Sequence, residues 1–355
     1  MRILYVGLKY DYGNSKNGFS FEHMNFYQTL KNMSNIDGLD YIAIDEILKN
    51  NSKDYLNEEI IKKAKENLYD LIFFFIFKDE FYPSTLNYLK DNLSIPTIGW
   101  MADDHWRFEN YSKYWASNYT YYVTTDEDSL KKYKQKNLSN ILLSQWGFNH
   151  FVKFPKKIFS KNMISFVGMS YGSRSRNIKY LEKKNNLSIQ CWGSGWPKGR
   201  VDNATMLEIF QNSLINLNFT KSSNQLTIKN FLKIFLKKEN NKYKINNFRE
   251  IFDNSKIFVQ KDVHQIKGRI FEVTGMGGFL MTEKCDYLEN YFDIDKELVI
   301  FEDIKDAADK INFYKKNVKL IEKISFNGQE KVLNEHTYEK RLKKIFNIVL
   351  NENLS

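Results

Sequence analysis

Short, unbroken apolar runs alternate along this chain with longer stretches whose apolar residues recur every three or four positions. Unbroken runs bounded by polar turns mark strands buried on both faces, and the periodic stretches mark amphipathic helices. In the first half, Arg2–Gly7, Leu39–Ile44, Leu71–Phe77, Pro96–Met101, Tyr119–Thr124 and Asn140–Ser144 predict strands. Between them, Phe21–Asn32, Asn57–Asn67, Pro83–Asn92 and Ser129–Lys136 predict helices, the first with Ser20 as its N-cap and His23 on its first turn. In the second half, Ile164–Val167, Leu187–Cys191, Leu214–Phe219, Phe279–Thr282 and Leu298–Phe301 predict strands. Asn177–Lys184, Met206–Ser213, Ile304–Asn317, Val318–Phe326 and His336–Leu350 predict helices. Such alternation implies an α/β protein with parallel sheets covered by helices.

At 355 residues the chain exceeds what one core comfortably fills, so two domains are expected. The polar, basic segment Asn149–Lys161 suits a linker, and the boundary is set there: 1–155, then 156–335, then a final helix over 336–355. Ser222 to Asp262 interrupts the alternation as a basic insertion. Within it Ile228, Phe231, Leu232 and Phe235 share one helical face, while Lys229, Lys233 and Lys237 share another.

Composition adds little. The net charge of +10 is spread over helix faces, which suits attraction of anionic substrates or a membrane surface and gives no nucleic-acid signal. Cys191 and Cys285 lie far apart in no metal or redox spacing, which fits a reducing cytoplasm. The opening apolar run is too short for a signal peptide, and nothing approaches the ~20 apolar residues of a membrane span. A cytoplasmic location is expected. The basic helix around Phe231 either lies peripherally on the inner membrane face or packs against the body of the protein.

Ligands in open α/β sheets sit outside the carboxyl ends of strands, which selects three loops. After Ile164–Val167 come Gly168 and Tyr171-Gly172-Ser173-Arg174-Ser175-Arg176. Glycine lets a diphosphate near the backbone, the next helix offers free N–H groups, and Arg174 and Arg176 add positive charge; the alternative is an ordinary turn with surface arginines. In Gln265 to Phe279, Lys267 and Arg269 precede a short helix carrying Glu272, followed by Gly275, Gly277 and Gly278. There Glu272 either takes both ribose hydroxyls, solvated in the empty protein, with the cations on the diphosphate, or caps a helix beside packing glycines. In Trp100-Met101-Ala102-Asp103-Asp104-His105-Trp106, Asp103 or Asp104 supplies a general base or an N-cap, only one facing inward; His23 is a second base candidate. Trp192, in Cys191-Trp192-Gly193-Ser194-Gly195-Trp196, stacks on a base or sugar, or packs in a core. No metal ligand set is visible, so none is expected.

The runs Phe166 to Arg176, Trp192 to Trp196, Gln265 to Thr282 and Glu335-His336-Thr337-Tyr338-Glu339-Lys340-Arg341 resemble the CgeB-like (spore-maturation) glycosyltransferases, a bacterial family. The N-terminal half matches through the Asp103-Asp104 loop and Trp146-Gly147-Phe148-Asn149. The resemblance implies a GT-B fold: two facing Rossmann-like domains with parallel sheets, an interdomain cleft, and a last helix crossing back to the first domain. It implies a metal-independent hexosyltransferase with no cofactor, taking a nucleoside-diphosphate sugar such as a UDP-sugar to a hydroxyl acceptor on a glycan, protein or small molecule. Donor-binding residues would be Gly168, Arg174, Arg176, Trp192, Lys267, Arg269, Glu272, Gly275, Gly277 and Gly278. Related retaining enzymes carry two glutamates seven residues apart; Glu272 matches the second, but His264 occupies the first, so stereochemistry is not carried over. A GT-B-like sugar-nucleotide epimerase and a non-catalytic surface or coat protein are the alternative readings.

Overall fold

The computed structural model describes residues 1–352 apart from Phe77, 154–159, 222–227, 240–241 and 261–262. The predicted boundary at 155/156 and the end of the predicted strand at Phe77 lie outside the described residues. The chain divides into two compact units: Met1–Lys153 with His336–Ser355, and Phe154–Glu335.

In the first unit β1 (Arg2–Gly7), β2 (Gly38–Ala43), β3 (Leu71–Phe75), β4 (Thr97–Met101), β5 (Tyr121–Thr124) and β6 (Ile141–Leu143) form one parallel sheet in the order β2-β1-β3-β4-β5-β6. Every residue of β3, Leu-Ile-Phe-Phe-Phe, is buried, and Phe73 pairs with Tyr5 on one side and Ile98 on the other. Alternate residues feed two cores. Leu4, Val6, Ile72 and Phe74 pack with Leu56 and Ile60 of the helix Lys53–Glu66. Tyr5, Phe73 and Trp100 pack on the opposite face with Phe26 and with Tyr338, Leu342, Phe346 and Val349 of the terminal helix Tyr338–Glu352. Each large side chain so buried contributes about 1.5–3 kcal/mol.

Two motifs singled out in the sequence meet here. The Phe148 N–H donates to the His336 carbonyl at 3.0 Å, the Tyr338 N–H donates to the Phe148 carbonyl at 3.0 Å, and Arg341 Nε donates to the Trp146 carbonyl at 2.7 Å. Trp146-Gly147-Phe148-Asn149 and the His336–Arg341 run thus anchor the last helix in the first unit.

In the second unit β7 (Ser160–Val167), β8 (Ile189–Trp192), β9 (Ser213–Asn218), β12 (Leu280–Glu283) and β13 (Val299–Phe301) form a parallel sheet ordered β13-β12-β9-β7-β8. Its core joins Ile164, Phe166, Leu217, Met281 and Val299 to Ile178, Leu181, Ile311 and Ile321 from the covering helices. Between β9 and β12 lie the helix Ile228–Phe235, an antiparallel pair β10 (Leu236–Glu239) and β11 (Lys242–Ile245), and the helix Phe248–Gln260. Because the first of these helices stops at Phe235, Lys237 belongs to β10 and leaves the predicted basic helical face. The helix starting at Val318 runs on to Glu335 rather than ending at Phe326, since Val332 continues the buried stripe of Ile321 and Ile324.

The first helix begins as expected: the His23 N–H donates to Ser20 Oγ at 3.0 Å. It then loosens into a π-turn over His23–Tyr27. Short helical turns between Asp104 and Asn118 were not legible in the apolar pattern.

Candidate functional site

In the second unit the chain passes from β7 outward to β8, then returns to β9 on the other side, so the sheet has its switch point between β7 and β9. Loops at that carboxyl edge are where such sheets receive ligands. Arg174 occupies the crevice. It opens the helix Arg174–Asn185 and its guanidinium donates from Nη1 to the Met169 carbonyl at 3.1 Å and from Nη2 to the Phe219 carbonyl at 3.1 Å. Its carbon Cζ stacks 4.0 Å from the Tyr171 ring centroid. Burial lowers its pKa, partly opposed by Tyr171 and Glu283. The expected diphosphate cation is therefore a strut tying the loops after β7 and β9. Arg176, two residues on and about 200° around the helix, is exposed and does not join it.

Gly168 is held by the neighbouring loop. Trp196 Nε1 donates to its carbonyl at 2.8 Å, and the Ser170 N–H donates to the Ser194 carbonyl at 2.8 Å. Gly193, at φ +125°, passes so near that a Cβ there would lie 2.3 Å from the Gly168 oxygen. The Trp192–Trp196 motif is thus a support for the loop after β7. The Trp192 ring is covered by Lys198 Nζ at 4.6 Å from its centroid.

The third component is the helix Gly268–Gly275, which precedes β12 and therefore starts at the carboxyl edge. Lys267 is its N-cap, half-buried, and its side chain makes no capping hydrogen bond. Arg269 lies inside the first turn rather than before it, and Arg269 Nη1 meets Glu272 Oε2 at 2.8 Å. The same guanidinium contacts Met206 Sδ and lies 5.0 Å from the Phe210 ring centroid. Glu272 is only 3% exposed, which corrects the expectation of a solvated carboxylate. The glycines that follow are packing positions: a Cβ at Gly278 would stand 2.4 Å from the Phe210 carbonyl oxygen, and one at Gly277 would meet Gln329. Gln329 Nε2 also donates to the Gly275 carbonyl at 3.2 Å.

At this edge Glu283, which no sequence motif singles out, gathers a cluster. Glu283 Oε2, at the end of β12, accepts from the Thr220 N–H at 3.0 Å and the Lys221 N–H at 3.2 Å. His264 Nδ1 stands 2.8 Å from Thr220 Oγ1 and 3.6 Å from the same carboxylate oxygen. A lone Glu ending a buried strand carries no spacing signal, so only the fold reveals it.

In the first unit the two aspartates separate as neighbours on a backbone should. Asp104 is fully buried, accepts from Tyr133 Oη at 3.2 Å, and burial pushes its pKa up to about 7. It faces the core, so its assignment as an acceptor-facing base is corrected. Asp103 is half-buried at the N-cap of the same short helix, with its side chain not engaged in capping. His23 is buried, stacked 4.6 Å from the Phe19 centroid, with Nε2 3.2 Å from Gln28 Nε2. Burial lowers its pKa to about 4, which makes it a weak base at neutral pH. The sheet of this unit has its own switch point between β1 and β3, and there a cavity of about 520 Å³ opens among Leu8, Tyr12, Ile44 and Leu48, with Asp45, Asp79 and Glu80 alongside Lys49, Lys53 and Lys78 in its lining.

Among the described residues no group of three or more His, Cys, Asp or Glu is placed to hold a metal ion, and no helix is long and apolar enough to cross a membrane. Cys191 and Cys285 are free and buried, and burial pushes both thiols up to about 12.

Comparison with known proteins places this geometry. The family model described as glycosyl transferase-like matches residues 236–347, which include Lys267, Arg269, Glu272 and Glu283. No curated protein matches the chain. Among solved structures, TarM superposes with a TM-score of 0.52 at 13% identity, covering 83% of this chain; the chain spans 57% of TarM. The lipopolysaccharide outer core galactosyltransferase WaaB superposes with a TM-score of 0.57 at 10% identity, over 99% of this chain and 100% of WaaB. HepE of Anabaena, in complex with UDP and glucose, gives a TM-score of 0.55 at 9% identity over 98% of this chain and 99% of HepE. With two doubly wound parallel sheets and a final helix returned to the first unit, the chain has the GT-B fold.

Proposed function

We propose that this protein is a glycosyltransferase that moves a sugar from a nucleoside-diphosphate donor, held by the C-terminal unit, to a hydroxyl acceptor. The observation that carries the reading is the Arg269–Glu272 pair at the start of the helix Gly268–Gly275, on the carboxyl edge of a parallel sheet. The N–H groups of the first turn and the helix dipole favour a diphosphate, and Lys267 and Arg269 add charge without a metal. Glu272 accepts from the ribose hydroxyls as Arg269 engages the phosphates. The glycosyl transferase-like match over this helix and the UDP bound in HepE support the same assignment.

In the transfer, the bond from the anomeric carbon to the β-phosphate oxygen breaks and the acceptor oxygen bonds to that carbon. The acceptor proton passes to a base, for which Asp103 is the side chain of the pair with solvent access. UDP is the nucleotide tried first. Within the glycosyltransferases, the motifs from Phe166 to Arg341 favour the CgeB-like group and a hexosyl donor.

A thermal-shift screen of nucleoside diphosphates and nucleotide sugars, with and without chelator, tests the reading. Ligand at about 100 times its Kd stabilises the folded state by about 2.7 kcal/mol. A raised melting temperature that persists in chelator is expected; no shift with any nucleotide overturns the assignment.

A further inference from the structure

Residues 228–262 carry nine Lys and Arg against four Asp and Glu, a net +5 out of the chain's +10. The same segment holds a concentration of exposed large apolar side chains. Tyr243, Ile245 and Phe248 are 74%, 79% and 88% exposed, and Phe231, Leu232, Phe235 and Phe252 are also exposed. Tyr243 and Ile245 are two apart on β11 and so share one face of that strand, while Phe231 and Phe235 form an edge-on pair 5.3 Å apart. The hairpin is internally braced: Asn246 Nδ2 donates to the Ile234 carbonyl at 2.8 Å, and the Asn246 N–H donates to the Phe235 carbonyl at 2.7 Å. Ile234 and Asn246 are buried beneath the exposed set.

We infer that this insertion is a docking element for an anionic lipid bilayer. Aromatic and aliphatic side chains enter the headgroup–acyl boundary, and the cations of the segment, with Lys244 and Arg249 exposed, are drawn to anionic headgroups. Charge argues against a second copy, which would bring its own +5 against this one. The exposed aliphatic Leu232 and Ile245, which offer a base no stacking partner, favour a bilayer over a nucleic acid strand.

The test is co-sedimentation of the full chain with vesicles of phosphatidylcholine alone and of phosphatidylcholine with 30% phosphatidylglycerol. Binding is expected only to the anionic vesicles and is weakened by salt. Tyr243→Ser/Ile245→Ser/Phe248→Ser, which alters mostly exposed side chains, should reduce binding at least about tenfold, as should Lys244→Glu/Arg249→Glu. Melting temperature and nucleotide response are read on each variant, and both should match the parent. Equal binding to neutral vesicles, no binding to either, variants that bind as the parent does, or self-association or oligonucleotide binding in place of vesicle binding overturns the inference.

Discussion

Arg269 Nη1 and Glu272 Oε2 stand 2.8 Å apart on successive turns of one helix, with the carboxylate buried and the guanidinium partly open to solvent. A pair placed this way does two jobs in the empty protein: it fixes the Glu272 rotamer and neutralises a charge that burial would otherwise disfavour. Glu272→Gln is expected to weaken nucleoside-diphosphate binding by about 1–3 kcal/mol and also to lower the melting temperature, because Arg269 loses its charged partner. Titration calorimetry with thermal melts on the same variant measures both; unchanged affinity beside a lowered melting temperature would make Glu272 a purely structural residue.

Burial holds the Asp104 carboxyl up at about 7 and that of Glu22 up at about 8. A carboxyl raised on folding contributes its stability fully below its unfolded value, near 4, and loses it as pH rises through the folded value. Unfolding measured between pH 5 and pH 8 should therefore show stability falling, and falling less in Asp104→Asn. The opposing contribution of His23, lowered to about 4 and lost as pH falls below the usual histidine range, is common to both proteins and cancels in the comparison. Parallel pH profiles would show that Asp104 is ionised in the folded state.

The same two aspartates split in catalysis. Asp103→Asn should lower turnover by roughly 100-fold or more with donor affinity retained, the signature of a lost general base. Asp104→Asn, whose side chain faces Tyr133 and the core, should keep turnover within a few-fold. Single-turnover assays with the acceptor distinguish them, and near-full turnover by Asp103→Asn moves the base elsewhere.

Gly278→Ala probes the packing reading of the glycine-rich turn. Its Cβ would meet the Phe210 carbonyl oxygen at 2.4 Å and Asn216 Nδ2 at 2.9 Å, both inside the contact distance for carbon. A loss of about 1–3 kcal/mol is expected from the forced shift, read by denaturant unfolding. A variant as stable as the parent would free that turn for a ligand-contact role.

The order of strands and helices was legible because parallel strands buried on both faces read as unbroken apolar runs, as Leu71–Phe75 does. What the sequence left open was direction and partnership. Nothing in a string distinguishes an arginine donating to backbone carbonyls, as Arg174 does, from one awaiting a phosphate. Neither does it show that Arg269 and Glu272, expected on different parts of one ligand, hold each other. The spacing of Asp103 and Asp104 implied that they differ in orientation but not which one is buried; Asp104 is, beside Tyr133, 29 residues away. Glu283 and His264 meet only because β9 and β12 are neighbours in the sheet.

The most direct test of the central claim is calorimetric titration of UDP into the full chain in chelator, beside Arg269→Met. Saturable binding at one site per chain, weakened at least about tenfold by the substitution, is the predicted result, since a hydrogen bond to a charged group is worth about 1.5–3 kcal/mol. Binding that is absent, or that Arg269→Met leaves unchanged, would contradict it.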